Sequence, residues 1–137
     1  MNGALLFMAD LVRRLRIPLR IATIRAASYV GRSPGPLTLS ADLDAELADR
    51  HVLIVDDILD SGATLSAVRE RIDGCGPAGS RICVLLRKQV ERTCPVEADW
   101  VGFDIPDAFV VGYGLDLDGS LRNLPDILRL DPEDAER

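Results

Sequence analysis

Apolar residues in this chain come in short blocks, and their period switches from helical to strand-like and back. Leu5, Met8, Leu11, Val12 and Leu15 recur at helical spacing and predict an amphipathic helix over residues 4–15, with Pro18 ending it. Residues 19–24 read as a strand. Residues 28–36 hold two Gly and two Pro and predict a mobile loop, with a short returning strand at 37–39. An acidic helix or turn is expected at 42–48. The run Val52-Leu-Ile-Val55 predicts a buried strand, residues 64–72 a helix, and residues 74–79 a Gly-rich turn. Further strands are expected at 82–86, 100–103, 109–111 and 127–130. This alternation is that of an α/β protein. There is no repeat and no linker, so residues 1–130 form one domain, followed by a charged tail, 131–137, that frays.

The junction after the central strand carries the chemistry. Asp56 and Asp57 stand where a parallel strand would end, Asp60 follows in the loop, and Ser61-Gly62-Ala63-Thr64 opens the next helix. In open α/β sheets ligands bind at the carboxyl ends of strands. A helix N-terminus offers unpaired N–H groups to an anion, and Gly62 lets the backbone curl around it. A phosphate cradle beside three carboxylates suits a sugar phosphate, with carboxylates gripping ribose hydroxyls or a divalent metal. A P-loop is excluded, because no G-x-x-x-x-G-K-[ST] occurs. A phosphoacceptor receiver domain should open on such a strand, and here about fifty residues precede it. The bland alternative is an acidic, solvated turn with Ser61 or Thr64 as a helix cap.

Composition narrows the class without naming it. The 137 residues are 47% hydrophobic, as in a soluble globular domain. No run approaches a membrane span and no signal peptide is visible. The net charge of −6 is uneven: residues 1–40 hold six Arg against one Asp, leaving −11 for the remainder. With only six aromatic residues, no basic-aromatic stripe points to nucleic acid. Three Cys without C-x-x-C spacing fit a reducing compartment and no zinc site. The single histidine, His51, reads as a solvated residue before a strand.

Residues 52–65 resemble the phosphoribosyl-pyrophosphate (PRPP) motif of the type I phosphoribosyltransferases. Other blocks resemble the 6-oxopurine branch of that family, the hypoxanthine-guanine phosphoribosyltransferases. Asn2-Gly-Ala-Leu-Leu-Phe-Met-Ala-Asp-Leu11 resembles its pyrophosphate loop and following helix. Ile24-Arg-Ala-Ala-Ser-Tyr29 resembles the stem of its flexible active-site loop. Leu85-Leu-Arg-Lys88 resembles the strand bearing a base-recognition lysine, residues 101–116 the purine-binding strand and loop, and Gly119-Ser-Leu-Arg-Asn-Leu-Pro125 the turn with a pyrophosphate-binding arginine. These blocks follow family order.

The resemblance implies an α/β fold with a mostly parallel sheet flanked by helices, and transfer of phosphoribose from PRPP to hypoxanthine or guanine, giving IMP or GMP and pyrophosphate. It implies that Asp56 and Asp57 bind the ribose hydroxyls, partly through Mg²⁺, with Asp116 also on the metal. Asp60 would handle the purine N7 proton as a buried carboxyl with raised proton affinity. Ser61, Gly62, Ala63 and Thr64 would cradle the 5′-phosphate. Lys88 would donate to O6, Phe109 would stack on the base, and the Val110 backbone would read its edge. Asn2, Gly3 and Arg122 would hold pyrophosphate, and Ser28 and Tyr29 would close over the reaction. It also implies a cytoplasmic homodimer or homotetramer acting on small molecules, with neither nucleic acid nor membrane as partner. An alternative is a non-catalytic PRPP- or nucleotide-binding regulatory module, or an inactive fragment. Met1 aligns with the first position of the pyrophosphate loop, so the expected domain lacks the family's N-terminal core strand and part of its hood.

Overall fold

The computed structural model describes residues 3–30, 33–40 and 47–131. Its centre is a three-stranded parallel sheet in the order β3-β4-β5, formed by β3 (His51–Leu59), β4 (Gly79–Lys88) and β5 (Trp100–Ile105). Helix α1 (Ala4–Arg14) precedes the sheet and α2 (Ala63–Asp73) crosses from β3 to β4. A hairpin of β1 (Arg25–Val30) and β2 (Ser33–Ser40) stands outside the sheet, and β6 (Val110–Val111) pairs antiparallel with β7 (Leu128–Arg129).

Two apolar clusters hold these elements. Leu65, Val68 and Ile72 of α2 pack on Ile54, Ile82 and Val84, with Ile24, Leu59 and Val96 completing the group. The second gathers Leu85, Leu86 and Leu115, with Phe7 of α1, Ile58, Ile105, Val110, Tyr113 and Ile127 against them. Leu59, Ile82, Val84, Leu86 and Val111 are fully buried; burial of such a side chain stabilises by about 1.5–3 kcal/mol. The second cluster lies around the last residues of β3, β4 and β5, so it stiffens the carboxyl edge of the sheet.

Several expectations need correction. Residues 19–24 form no strand; regular pairing begins at Arg25. A strand requires a ladder partner, and none pairs with this segment or with the edge of β3 opposite β4 among the described residues. Ile17, Leu19, Ile21 and Leu53 are exposed as a result. The expected mobile loop at 28–36 is largely hairpin, with a register shift between Ala27 and Tyr29. Pro34 and Pro36 fit β2 because a two-stranded ribbon leaves edge positions that need no N–H. The expected helix at 42–48 lies mostly outside the described residues, and residues 47 and 48 are not helical. The helix at 4–15 is found at Ala4–Arg14, but Leu5 and Leu15 of its expected apolar face are exposed, and Phe7 makes the packing contact instead. The tail beyond residue 131 lies outside the described residues.

Candidate functional site

Strand β3 runs to Leu59, so Asp56 and Asp57 are strand residues rather than the first of the loop. Successive strand residues differ in burial, and Asp56 is the buried one while Asp57 stays partly exposed beside it. Asp56 is 7% exposed. Burial, reinforced by the charge of Asp57 beside it, pushes its carboxyl up to about 8. The Asp57 N–H donates to Asp56 Oδ1 (3.1 Å), and the Ile58 N–H donates to Asp57 Oδ1 (3.0 Å). Asp57 turns toward Gly3, the residue before α1; a Cβ at Gly3 would collide with Asp57 Oδ2. The Gly3 carbonyl in turn lies against Gly114. Absence of side chains at this crossing lets the start of α1, the end of β3 and the loop after β6 converge.

Asp60 behaves differently from the buried acid expected. Its side chain is 51% exposed and pairs with Lys88 Nζ at 3.0 Å. The buried carboxyl of the group is Asp56, because β3 carries that residue into the core while Asp60 has left the sheet. Lys88 ends β4 and is only 14% exposed. Its Nζ also meets Asp107 Oδ1 at 3.2 Å. Burial pulls the Lys88 ammonium down, yet the two carboxylates outweigh it and hold its pKa above the ordinary value. One strand partner away, Arg87 forms a two-pronged pair with Asp104 of β5, at 2.6 and 3.0 Å.

The loop into α2 has the shape of an anion cradle. Gly62 is the N-cap, at φ +84°, and no side chain caps the helix. A Cβ there would lie 2.8 Å from Val96 Cγ1 and 2.9 Å from the Cys94 carbonyl oxygen, so glycine is required on both counts. Ser61 is fastened from behind: its carbonyl accepts from the Cys94 N–H (3.3 Å) and the Thr93 hydroxyl (3.2 Å). The alternative of Ser61 or Thr64 as N-cap is not realised, although Ser61 Oγ accepts from the Ala63 N–H at 3.4 Å. The first-turn amides of α2 and the partly buried Thr64 are left toward the loop.

In the loop after β6, Arg122 binds Asp116 Oδ1 and the Gly114 carbonyl, both at 2.6 Å, while Asp116 Oδ2 accepts from the Gly119 N–H at 2.7 Å. Phe109 is 45% exposed and belongs to neither core cluster, which leaves its ring free to stack. Val110 pairs with Arg129 in the β6–β7 ribbon. The expected metal trio does not assemble: among the described residues no group of three or more His, Cys, Asp or Glu could hold an ion, and Asp116 is engaged with Arg122 rather than gathered with Asp56 and Asp57. Asn2 lies outside the described residues, as do the side chains of Ser28 and Tyr29, whose backbone belongs to β1. Two participants escaped sequence reasoning. Asp107 is one. The other is Tyr113, whose hydroxyl donates to Asp10 Oδ2 at 2.6 Å and ties the loop after β6 to α1. Neither carries a sequence signal of its own; only proximity reveals them.

A parallel sheet with carboxylates, a lysine and an uncapped helix N-terminus at its carboxyl edge defines an α/β protein built to hold an anionic, hydroxyl-bearing ligand. A family model for the phosphoribosyl transferase domain matches residues 1–118, and the chain belongs to that family. It is 43% identical over 126 residues to a hypoxanthine phosphoribosyltransferase of Haemophilus influenzae, covering 90% of this chain and 70% of the relative. It is 42% identical over 134 residues to a hypoxanthine-guanine phosphoribosyltransferase of Mycobacterium bovis, covering 96% of this chain and 66% of that protein. A crystal structure of a hypoxanthine phosphoribosyltransferase from Staphylococcus aureus superposes with a TM-score of 0.89 at 38% identity, over 97% of this chain and 73% of that one.

Proposed function

We propose that this chain transfers the 5-phosphoribosyl group of PRPP to hypoxanthine or guanine, releasing pyrophosphate. One observation carries the reading: the Asp60–Lys88 ion pair joins the loop that leads into α2 to the carboxyl end of β4. The 5′-phosphate would sit on the amides of residues 61–64. Asp57, on the Gly3 side of β3, would meet ribose hydroxyls, with Asp56 beneath it. Lys88 has only donors, so it suits a 6-oxo acceptor and cannot satisfy a 6-amino donor. Phe109 would stack on the ring, with Val110 at its edge. Asp60, half-exposed at the loop, would take or return the N7 proton. Gly3, Asn2 and Arg122 would bind pyrophosphate, and Ser28 and Tyr29 would screen the reacting centre from water.

A Mg²⁺ ion fits the donor chemistry. This ion commonly takes one or two carboxylates together with substrate phosphates and water, rather than an all-protein cage. Asp57, beside Gly3, and Asp116, paired with Arg122, are suitable carboxylates, with Asp56 next to Asp57. The ion would neutralise the pyrophosphate leaving group among these acids.

No helix among the described residues is long and apolar enough to cross a membrane. Three cysteines without C-x-x-C spacing support a cytoplasmic setting. The exposed apolar residues Leu53, Ile17, Leu19 and Ile21 support a homodimer or homotetramer.

The test is turnover of PRPP with hypoxanthine, guanine and adenine in the presence of Mg²⁺. The first two should react and adenine should not. Equal rates with adenine would remove the 6-oxopurine assignment. GMP binding without turnover of any base would make the chain a binding module.

A further inference from the structure

The Lys88 ammonium carries three N–H donors and no acceptor. Two face carboxylates from different parts of the chain: Asp60 Oδ2 at 3.0 Å, from the loop after β3, and Asp107 Oδ1 at 3.2 Å, from the turn between β5 and β6. The lysine is thus bracketed, and one donor is left to point elsewhere. The turn carrying Asp107 is anchored to the same strand end by its backbone, since the Gln89 N–H donates to the Ile105 carbonyl at 2.9 Å. That turn also carries Phe109, two residues on.

The two carboxylates are not equivalent. Asp60 is assigned a proton in the reaction, and once protonated it no longer neutralises Lys88. A largely buried ammonium deprived of its counter-ion is costly. Asp107, 71% exposed, is assigned no proton in the reaction. It touches the lysine and no reacting atom.

We propose that Asp107 is a positioning residue for base recognition: it orients the Lys88 ammonium so that its third N–H meets a 6-oxo acceptor, and it remains the lysine's counter-ion while Asp60 holds a proton. The inference rests on the roles given to Lys88 and Asp60 above. It makes the turn after β5 a joint determinant of specificity, because one short segment then holds both the stacking ring and the partner of the edge-reading lysine.

The test compares affinities for two ligands that share the ribose-phosphate site and differ in the base. IMP carries a 6-oxopurine and PRPP carries none. Calorimetric titrations of the whole chain, with Mg²⁺, would use wild type, Asp107→Asn, Asp107→Glu and Lys88→Met. Asp107→Asn should weaken IMP roughly two- to fivefold, the range for a partly exposed ion pair. PRPP affinity and melting temperature should stay at wild-type values. Asp107→Glu should recover most of the loss, and Lys88→Met should weaken IMP more than Asp107→Asn does. If Lys88→Met weakens IMP and Asp107→Asn does not, the role of Asp107 falls while that of Lys88 stands. If Lys88→Met leaves IMP unchanged, the base-recognition reading falls and takes the proposal with it. Parallel loss of IMP and PRPP in Asp107→Asn would indicate general distortion and overturn the proposal, as would failure of the wild type to bind either ligand.

Discussion

Asp56 and Asp60 are both aspartates near one turn, yet the fold gives them opposite environments. Asp60 sits half-exposed against Lys88, the place proposed for the acid–base residue. Asp60→Asn should lower turnover about 10²–10⁴-fold, the usual worth of general acid–base help, with PRPP affinity nearly intact. Unchanged turnover by steady-state assay would remove Asp60 from that role. Asp56 is buried beside Asp57, and its carboxyl is pushed up to about 8 from an ordinary value of 3.8. A raised acid favours the protonated native state, so its stabilising effect is complete below about pH 3.8 and is lost as pH rises through about 8. In chelator-treated protein without ligand, thermal stability should therefore decline across that window. Asp56→Asn should flatten the decline, as measured by melting temperature against pH. A wild-type decline that persists unchanged in the variant would point to other groups. The sequence marked both residues as site candidates, but burial depends on how far β3 continues, and no local pattern states that.

At the scale of elements, the loop from β3 into α2 is the part most legible in advance. Gly62 followed by a helical run forecast a backbone turned around an anion, and the structure has Gly62 at φ +84° with an uncapped helix behind it. Thr64→Val should weaken PRPP and IMP together, by roughly 1.5–3 kcal/mol for a lost hydrogen bond to a charged group, and titration of each ligand would measure it. Unchanged PRPP affinity would move the phosphate elsewhere. Gly62→Ala should destabilise the fold as well as the cradle, because the Cys94 carbonyl is backbone and cannot step aside. A variant as stable as wild type in urea would contradict that geometry. Less legible was the segment from 19 to 40. Its apolar residues 19–24 have the composition of a strand, but strands exist only in pairs, and the pairing arose between 25–30 and 33–40 instead.

At the scale of the whole molecule, the parallel sheet ends on β3 and β5 among the described residues. The side of β3 away from β4 has no strand partner among them, Leu53 of β3 is exposed, and so are Ile17, Leu19 and Ile21. Long, apolar, unpaired edges invite association. Leu53→Lys should reduce self-association by sedimentation without lowering the melting temperature.

Residue order alone determined the α/β class, the central strand, the two helices and the glycine turn that opens the second helix. These rest on short-range physics: the period of apolar residues, the φ demanded of Gly62, and the amides left over at a helix start. Tertiary structure decided the rest. It buried Asp56 and left Asp60 in solvent, paired Lys88 with Asp107 and Arg122 with Asp116, and left residues 19–24 without a ladder. Each of these depends on which distant segments come within a few ångströms. Burial and ion pairing are set by such neighbours, and a single chain read in order carries no record of them.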